Sequence, residues 1–144
     1  MPFTKIISSV RRFKSGIVQT VNDAVKDIES FVLDMNRERL DKGKLSTNRI
    51  IQPRYTIQYK RYKSARGGKT DNVDLLLEGD FRSAFYIEYT SDGFEITSSD
   101  FKRPFLVKRY SEDIFGLTIG EKTRLAVKLL PVLTNKLRDY IDGV

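Results

Sequence analysis

The chain contains no histidine and no cysteine. Those side chains are the usual general base, thiol nucleophile and soft metal ligand. Bond-making chemistry would therefore fall to carboxylates, helped by lysine, tyrosine, serine or threonine. Asp74, Glu78 and Asp80 cluster in sequence, and Asp74 and Glu78 would share a face if that stretch were helical. Two carboxylates across one cleft can hydrolyse a glycoside, and a carboxylate cluster with magnesium can cleave a phosphodiester. Magnesium nucleases commonly add a lysine on an adjacent strand. Glu88 and Glu95 lie in strand-like runs, but no Glu-x-Lys follows in either. These acids read as a solvated rim, and no enzyme, metal or cofactor is expected.

The second candidate is cationic. YKRYKSARGGKT, residues 59–70, holds five basic side chains, two tyrosines and a Gly-Gly pair. Its GGKT end resembles the close of a phosphate-binding loop. The full motif needs a glycine five positions before Gly68, where Lys63 stands, and a helix opening at Thr70, where Asp71-Asn72 follows. Nucleotide binding is therefore rejected. Lys60, Arg61, Lys63, Arg66 and Lys69 could instead neutralise phosphates while Tyr59 and Tyr62 stack on bases. No helix-turn-helix, zinc site or RNP motif accompanies them. The bland alternative is a solvated loop. Between these lies the preferred reading, a loop that orders against another protein.

Behind these candidates, residues 4–41 read as one long helix. Ile6, Val10, Phe13, Ile17, Val21, Ala24, Ile28, Phe31 and Met35 recur at steps of three and four. Such a helix would run roughly 55 Å at ~1.5 Å per residue, too long for a compact domain of this size. One end should project, with Ile6, Val10, Phe13 and Ile17 as interface candidates, or the helix should break near Gly16. Gly43 is the expected stop. Residues 45–58 read as loop and extended chain, with TIQYKRY a weak strand or short helix. Leu75, Leu76 and Leu77 form a short buried run before Gly79. AFYIEYT and GFEITSS alternate around Ser91-Asp92-Gly93, a strong hairpin signal. In residues 104–117, Leu106, Val107, Tyr110, Ile114 and Phe115 could serve a short helix. Residues 121–141 read as a closing helix, with Leu125, Leu129, Leu133, Leu137 and Ile141 at steps of four and Pro131 inside. The fold class is α+β: a long N-terminal helix, a small antiparallel sheet with a central hairpin, and a C-terminal amphipathic helix, with the helices on one face. The chain divides into the long helix (1–44), a basic extended segment (45–72), a β-rich core (73–120) and the last helix (121–144).

At 144 residues, one domain is expected. Without cysteine no disulfide holds it, so packing must, within the chain or between subunits. No run of eighteen apolar residues is present, so no membrane span is expected. The first sixteen residues lack the apolar stretch of a secretion signal, so a cytoplasmic origin is the default. The net charge of +7 is uneven: residues 1–72 carry +9 and residues 73–144 carry −2. From Arg49 to Lys69 there are seven bases and no acid. Such a chain can bind a polyanion or let copies meet head to tail, plus against minus.

From Pro53 to Leu117 the sequence resembles small virion proteins of tailed bacteriophages, the neck or tail-completion type. The likeness rests on Pro53-Arg54-Tyr55, the lysine-rich segment and a D-L-x-L-x-G-x-F box from Asp74 to Phe81. The hairpin from Tyr86 to Ile96 and Ile114-Phe115-Gly116-Leu117 complete it. Glu78 stands where the box has threonine, and Tyr110-Ser111 where a Tyr-Gly pair precedes the last motif. The resemblance implies a ring at the head–tail junction, joining the head connector to the tail. Partners would be copies of the chain and other neck, connector and tail proteins, assembled in the host cytoplasm into the virion. DNA passes through such a ring, so the basic loop could touch DNA non-specifically in the lumen. Contact with acidic neighbours is preferred, because a sticky lumen slows ejection. The alternatives are a nucleic-acid-binding module using the basic 49–69 segment, a metal-dependent nuclease, and an adaptor unrelated to phage.

Overall fold

The computed structural model of the chain describes residues 2–76 and 79–143. Leu77, expected in the buried leucine run, and Glu78, a candidate carboxylate, lie outside them. The order is α1 (Pro2–Lys26), α2 (Glu29–Asp41), α3 (Ile57–Ser64), α4 (Asp80–Ser83), β1 (Phe85–Thr90), β2 (Gly93–Ser98), α5 (Arg103–Tyr110), a 3₁₀ turn (Glu112–Ile114) and α6 (Ile119–Asp142). The class is α+β, as expected.

The long N-terminal helix is two helices, and the break is not at Gly16. α1 passes through Gly16, whose carbonyl accepts a bond from Thr20 Oγ1 at 2.7 Å. The helix ends at Lys26, and Ile28 takes a non-helical φ of −130° with its N–H bonded to Val25 O at 3.0 Å. The bend lets α2 pack on β1 while α1 stays on α6 and β2. A straight rod would have carried α2 past the core. The apolar stripe continues through the break because both pieces bury it: Ala24 and Val25 from α1, Val32, Met35 and Leu40 from α2.

Among the described residues the sheet is one antiparallel hairpin of two strands. Its pairing sets Phe85 opposite Ser98, Ile87 opposite Ile96 and Tyr89 opposite Phe94. Phe85, Ile87 and Ile96 are buried, while Glu88 faces Glu95 on the exposed side. Phe81, Phe85 and Phe115 form the aromatic centre, with ring centroids 5.2–5.9 Å apart. The 73–120 segment is thus not β-rich throughout: α4, α5 and the 3₁₀ turn flank the hairpin.

α6 begins with a capping box. Thr118 Oγ1 accepts from Glu121 N–H at 3.1 Å, and Glu121 Oε2 accepts from Thr118 N–H at 2.8 Å. The helix therefore starts two residues before 121. The expected stripe packs only in part: Leu125 and Leu129 are buried, Leu133 is half-buried and Ile141 is exposed. Val127 and Leu130 also face outward. Glu121 Oε2 takes a further bond from Arg39 Nη1 at 2.6 Å, tying the end of α2 to the start of α6. Burial pushes the Arg39 guanidinium pKa below its ordinary value, and the Glu121 charge opposes that shift.

Candidate assembly interface

The basic segment is helical only to Ser64, in α3; residues 65–70 leave it as turn and coil. Thr56 caps α3, its hydroxyl accepting from Tyr59 N–H at 3.2 Å. Within α3, helical spacing turns Lys63 to the opposite side from Arg61, while Arg66 and Lys69 follow the helix in turn and coil. Arg61, Arg66 and Lys69 are exposed and Lys60 is half-buried. Lys63 is 0 % exposed, so it faces neither partner nor DNA. Its ammonium pairs with Asp74 Oδ1, itself buried. Tyr55 closes the cluster: its hydroxyl donates to Asp74 Oδ1 at 3.3 Å and accepts from Leu75 N–H at 3.1 Å. Leu76 N–H also reaches Asp74 Oδ1, at 3.0 Å. Burial pushes the Tyr55 hydroxyl well above its ordinary 10.0. A buried charge needs such a complement of partners. Gly68 lies over the lysine stem; a Cβ there would come within 2.6 Å of Lys63 Cγ. One cation of five and one acid of three are therefore spent as an internal staple.

Beside α3 lies a cavity of about 570 Å³, lined among others by Tyr59, Tyr62, Phe81, Leu106 and Tyr110, with Lys102 and Arg109 at its wall. The Tyr59 and Tyr62 ring centroids are 6.1 Å apart. The Arg66 guanidinium sits 3.6 Å from the Tyr62 centroid, so one face of that ring is already occupied. Asp80 is exposed on the cavity wall, apart from the Asp74 cluster. Among the described residues, no three acids gather as a metal-holding set.

The N-terminal half of α1 lies outside the core. Every residue from 4 to 15 is exposed, including Ile6 at 58 %, Val10 at 61 % and Phe13 at 55 %. Ile17 differs: it is half-buried and belongs to a groove between α1, β2 and the start of α6. That groove encloses about 950 Å³. Its floor is apolar, with Val18, Val21, Phe94, Phe115 and Leu125. Asn22 lines it while only 3 % exposed. The Asn22 amide donates to Thr90 O at 3.1 Å, but its carbonyl oxygen has no partner among the described residues. Asp92, Glu95 and Glu112 stand along the groove. Glu112 is engaged by Arg103, 3.1 Å to each oxygen, and Lys122 is the other base there.

Sequence reasoning missed the buried Lys63–Asp74 pair and the groove. The lysine was hidden among like neighbours, and the groove joins segments that lie far apart in sequence, from Ile17 to Leu125. The Thr118-x-x-Glu121 pattern was available as a start signal for α6. Among the described residues, no helix is long and apolar enough to cross a membrane. Compared with protein-family models, curated proteins and solved structures, the chain has no match.

Proposed function

We propose that this chain is a structural subunit of a tailed-phage neck, forming a ring that joins the head connector to the tail. It acts by docking with copies of itself and with neighbouring neck and tail proteins, without catalysis. The observation that carries this reading is the rooted but uncovered half of α1. Ile6, Ile7 and Val10 are each more than half exposed on a helix whose other end is locked into the core. An isolated subunit gains nothing by holding such a stripe in water; an assembly covers it. The motifs behind the phage resemblance agree with this division of labour, since Phe81, Ile114 and Phe115 are core residues that build a rigid body. Light-scattering mass and negative-stain images of the purified chain test the reading. Closed rings are the expected result, and a monomer at high concentration overturns it.

A nucleic-acid-binding module is the second reading. It is favoured by Arg61, Arg66 and Lys69 standing exposed on one segment close to a tyrosine-lined cavity with Lys102 and Arg109. It requires DNA affinity that falls steeply with salt. Absence of binding at low salt removes it.

A further inference from the structure

We propose that the groove between α1, β2 and α6 is the seat for residues 4–15 of α1 from a second copy of this chain. The inference rests on the assembly reading and names the contact that would build it. Three observations converge on this occupant.

The first is shape and polarity. The groove has an apolar floor, and the uncovered part of α1 has an apolar stripe of Ile6, Ile7 and Val10. A helix of twelve residues is about 18 Å long at ~1.5 Å per residue, and a helix laid in an apolar groove anchors through side chains three and four apart. Ile6 and Val10 have that spacing. Ile17 of the host copy already turns the same stripe into the groove, so the incoming helix would continue a packing mode the fold uses.

The second is charge. Lys5, Arg11, Arg12 and Lys14 flank the stripe, and no acid precedes Asp23. At the groove, Asp92 and Glu95 are exposed and engage no base in an ion pair among the described residues, unlike Glu112. Glu95 also stands directly opposite Glu88 in the hairpin register. Facing like charges cost stability, and a cation brought to them removes that cost. Lys122 is the one opposing charge at the groove beyond the paired Arg103.

The third is the Asn22 carbonyl oxygen, buried in the lining and lacking a donor among the described residues. An unsatisfied buried acceptor costs stability. Arginine and lysine side chains are the donors that the incoming segment supplies.

The contact is heterologous: one surface of a copy meets a different surface of the next. Repeated, it closes into a ring or runs on as a filament.

The chain's lack of cysteine allows a direct test. One batch of full-length chain carries Ile6→Cys or Val10→Cys, and another carries Asp92→Cys or Glu95→Cys. All four positions are exposed, so folding is preserved. The batches are mixed under mild oxidation, and light scattering on the unmodified chain gives the mass. The expected result is an oligomer, with a mixed disulfide dimer forming several-fold faster than for an Ile141→Cys control. Reversing Arg11 and Arg12 to glutamate weakens assembly about tenfold or more, and adding Asp92→Arg with Glu95→Arg restores it. An oligomer with no preferred cross-link overturns this contact and leaves the assembly reading standing. A monomer overturns both. Binding of the unmodified chain to phosphatidylserine vesicles, lost in Val10→Asp while the oligomer mass is unchanged, also overturns the contact. It would assign the basic amphipathic segment to an anionic lipid surface instead.

Discussion

Lys63 and Asp74 form an ion pair with both side chains removed from solvent, and Tyr55 bonds to the same carboxylate. The pair fastens α3 to the stretch that leads into α4. Removing one member strands the other charge in the interior, at a cost of about 3–5 kcal/mol. Lys63→Ala and Asp74→Ala will each lower the denaturant midpoint sharply. Lys63→Met combined with Asp74→Leu will lower it by less than either. A double-variant loss equal to the sum of the two single losses would show that the pair is not energetically coupled.

The exposed cations of the same segment should behave differently. Arg61→Ala and Lys69→Ala will leave unfolding free energy within about 0.5 kcal/mol of the parent, because neither side chain is buried. If either matched Lys63→Ala in a melting experiment, the division between internal and outward cations would be wrong.

Glu121 serves both the cap of α6 and Arg39. Thr118→Ala removes one capping bond and will cost about 1 kcal/mol. Glu121→Ala removes the reciprocal bond and leaves a guanidinium only 4 % exposed without its counter-charge, so it will cost several-fold more. Urea titrations of the two variants decide this, and equal costs would refute the shared role.

Gly43 has φ of +66°, and a Cβ there would come within 2.6 Å of Asn72 Cβ. Gly43→Ala therefore meets a backbone penalty and a steric one. A loss of at least about 1 kcal/mol is expected, measured by denaturation. Asn72→Gly in the same chain will recover the steric part alone.

Burial raises the phenols of Tyr55, Tyr59 and Tyr89 above the ordinary 10.0, and the first and last should titrate latest. For Tyr89 the bond to Glu29 and that residue's charge add to the shift. The folded state prefers the protonated phenols. Their contribution to stability is therefore complete below the unfolded value and is lost as pH rises above it through the folded values. Tyrosinate absorbance of the native chain will lag that of the urea-unfolded chain, and Tyr89→Phe will remove one late phenol. All seven tyrosines ionising together in the folded chain would contradict the burial.

Much of the architecture was readable from local pattern. The hairpin followed from alternation around Asp92-Gly93, and Gly43 lies one residue past the C-cap of α2. The projecting end was expected from a single helix over 4–41, a length that the break at Ile28 removes. What could not be read was set by tertiary packing. The bend at Ile28 left no mark, because both helices bury one continuous stripe. Lys63 shared its composition with four basic neighbours, three of them exposed, and only its alignment with Asp74 singles it out. The groove draws on α1, the hairpin, the segment around Phe115 and α6; no local window contains it. Ile17 was grouped with Ile6, Val10 and Phe13 because periodicity places them on one face. It does not reveal where along that face the core ends.

The facing glutamates of the hairpin carry one more consequence. Among the described residues the sheet has only two strands, so each leaves an edge with backbone groups open to recruitment by another chain. A foreign strand stacked in register would line up further Glu88 and Glu95 carboxylates at ~4.8 Å intervals, multiplying the repulsion. Crowded subunits are thereby steered away from fibril-like stacking.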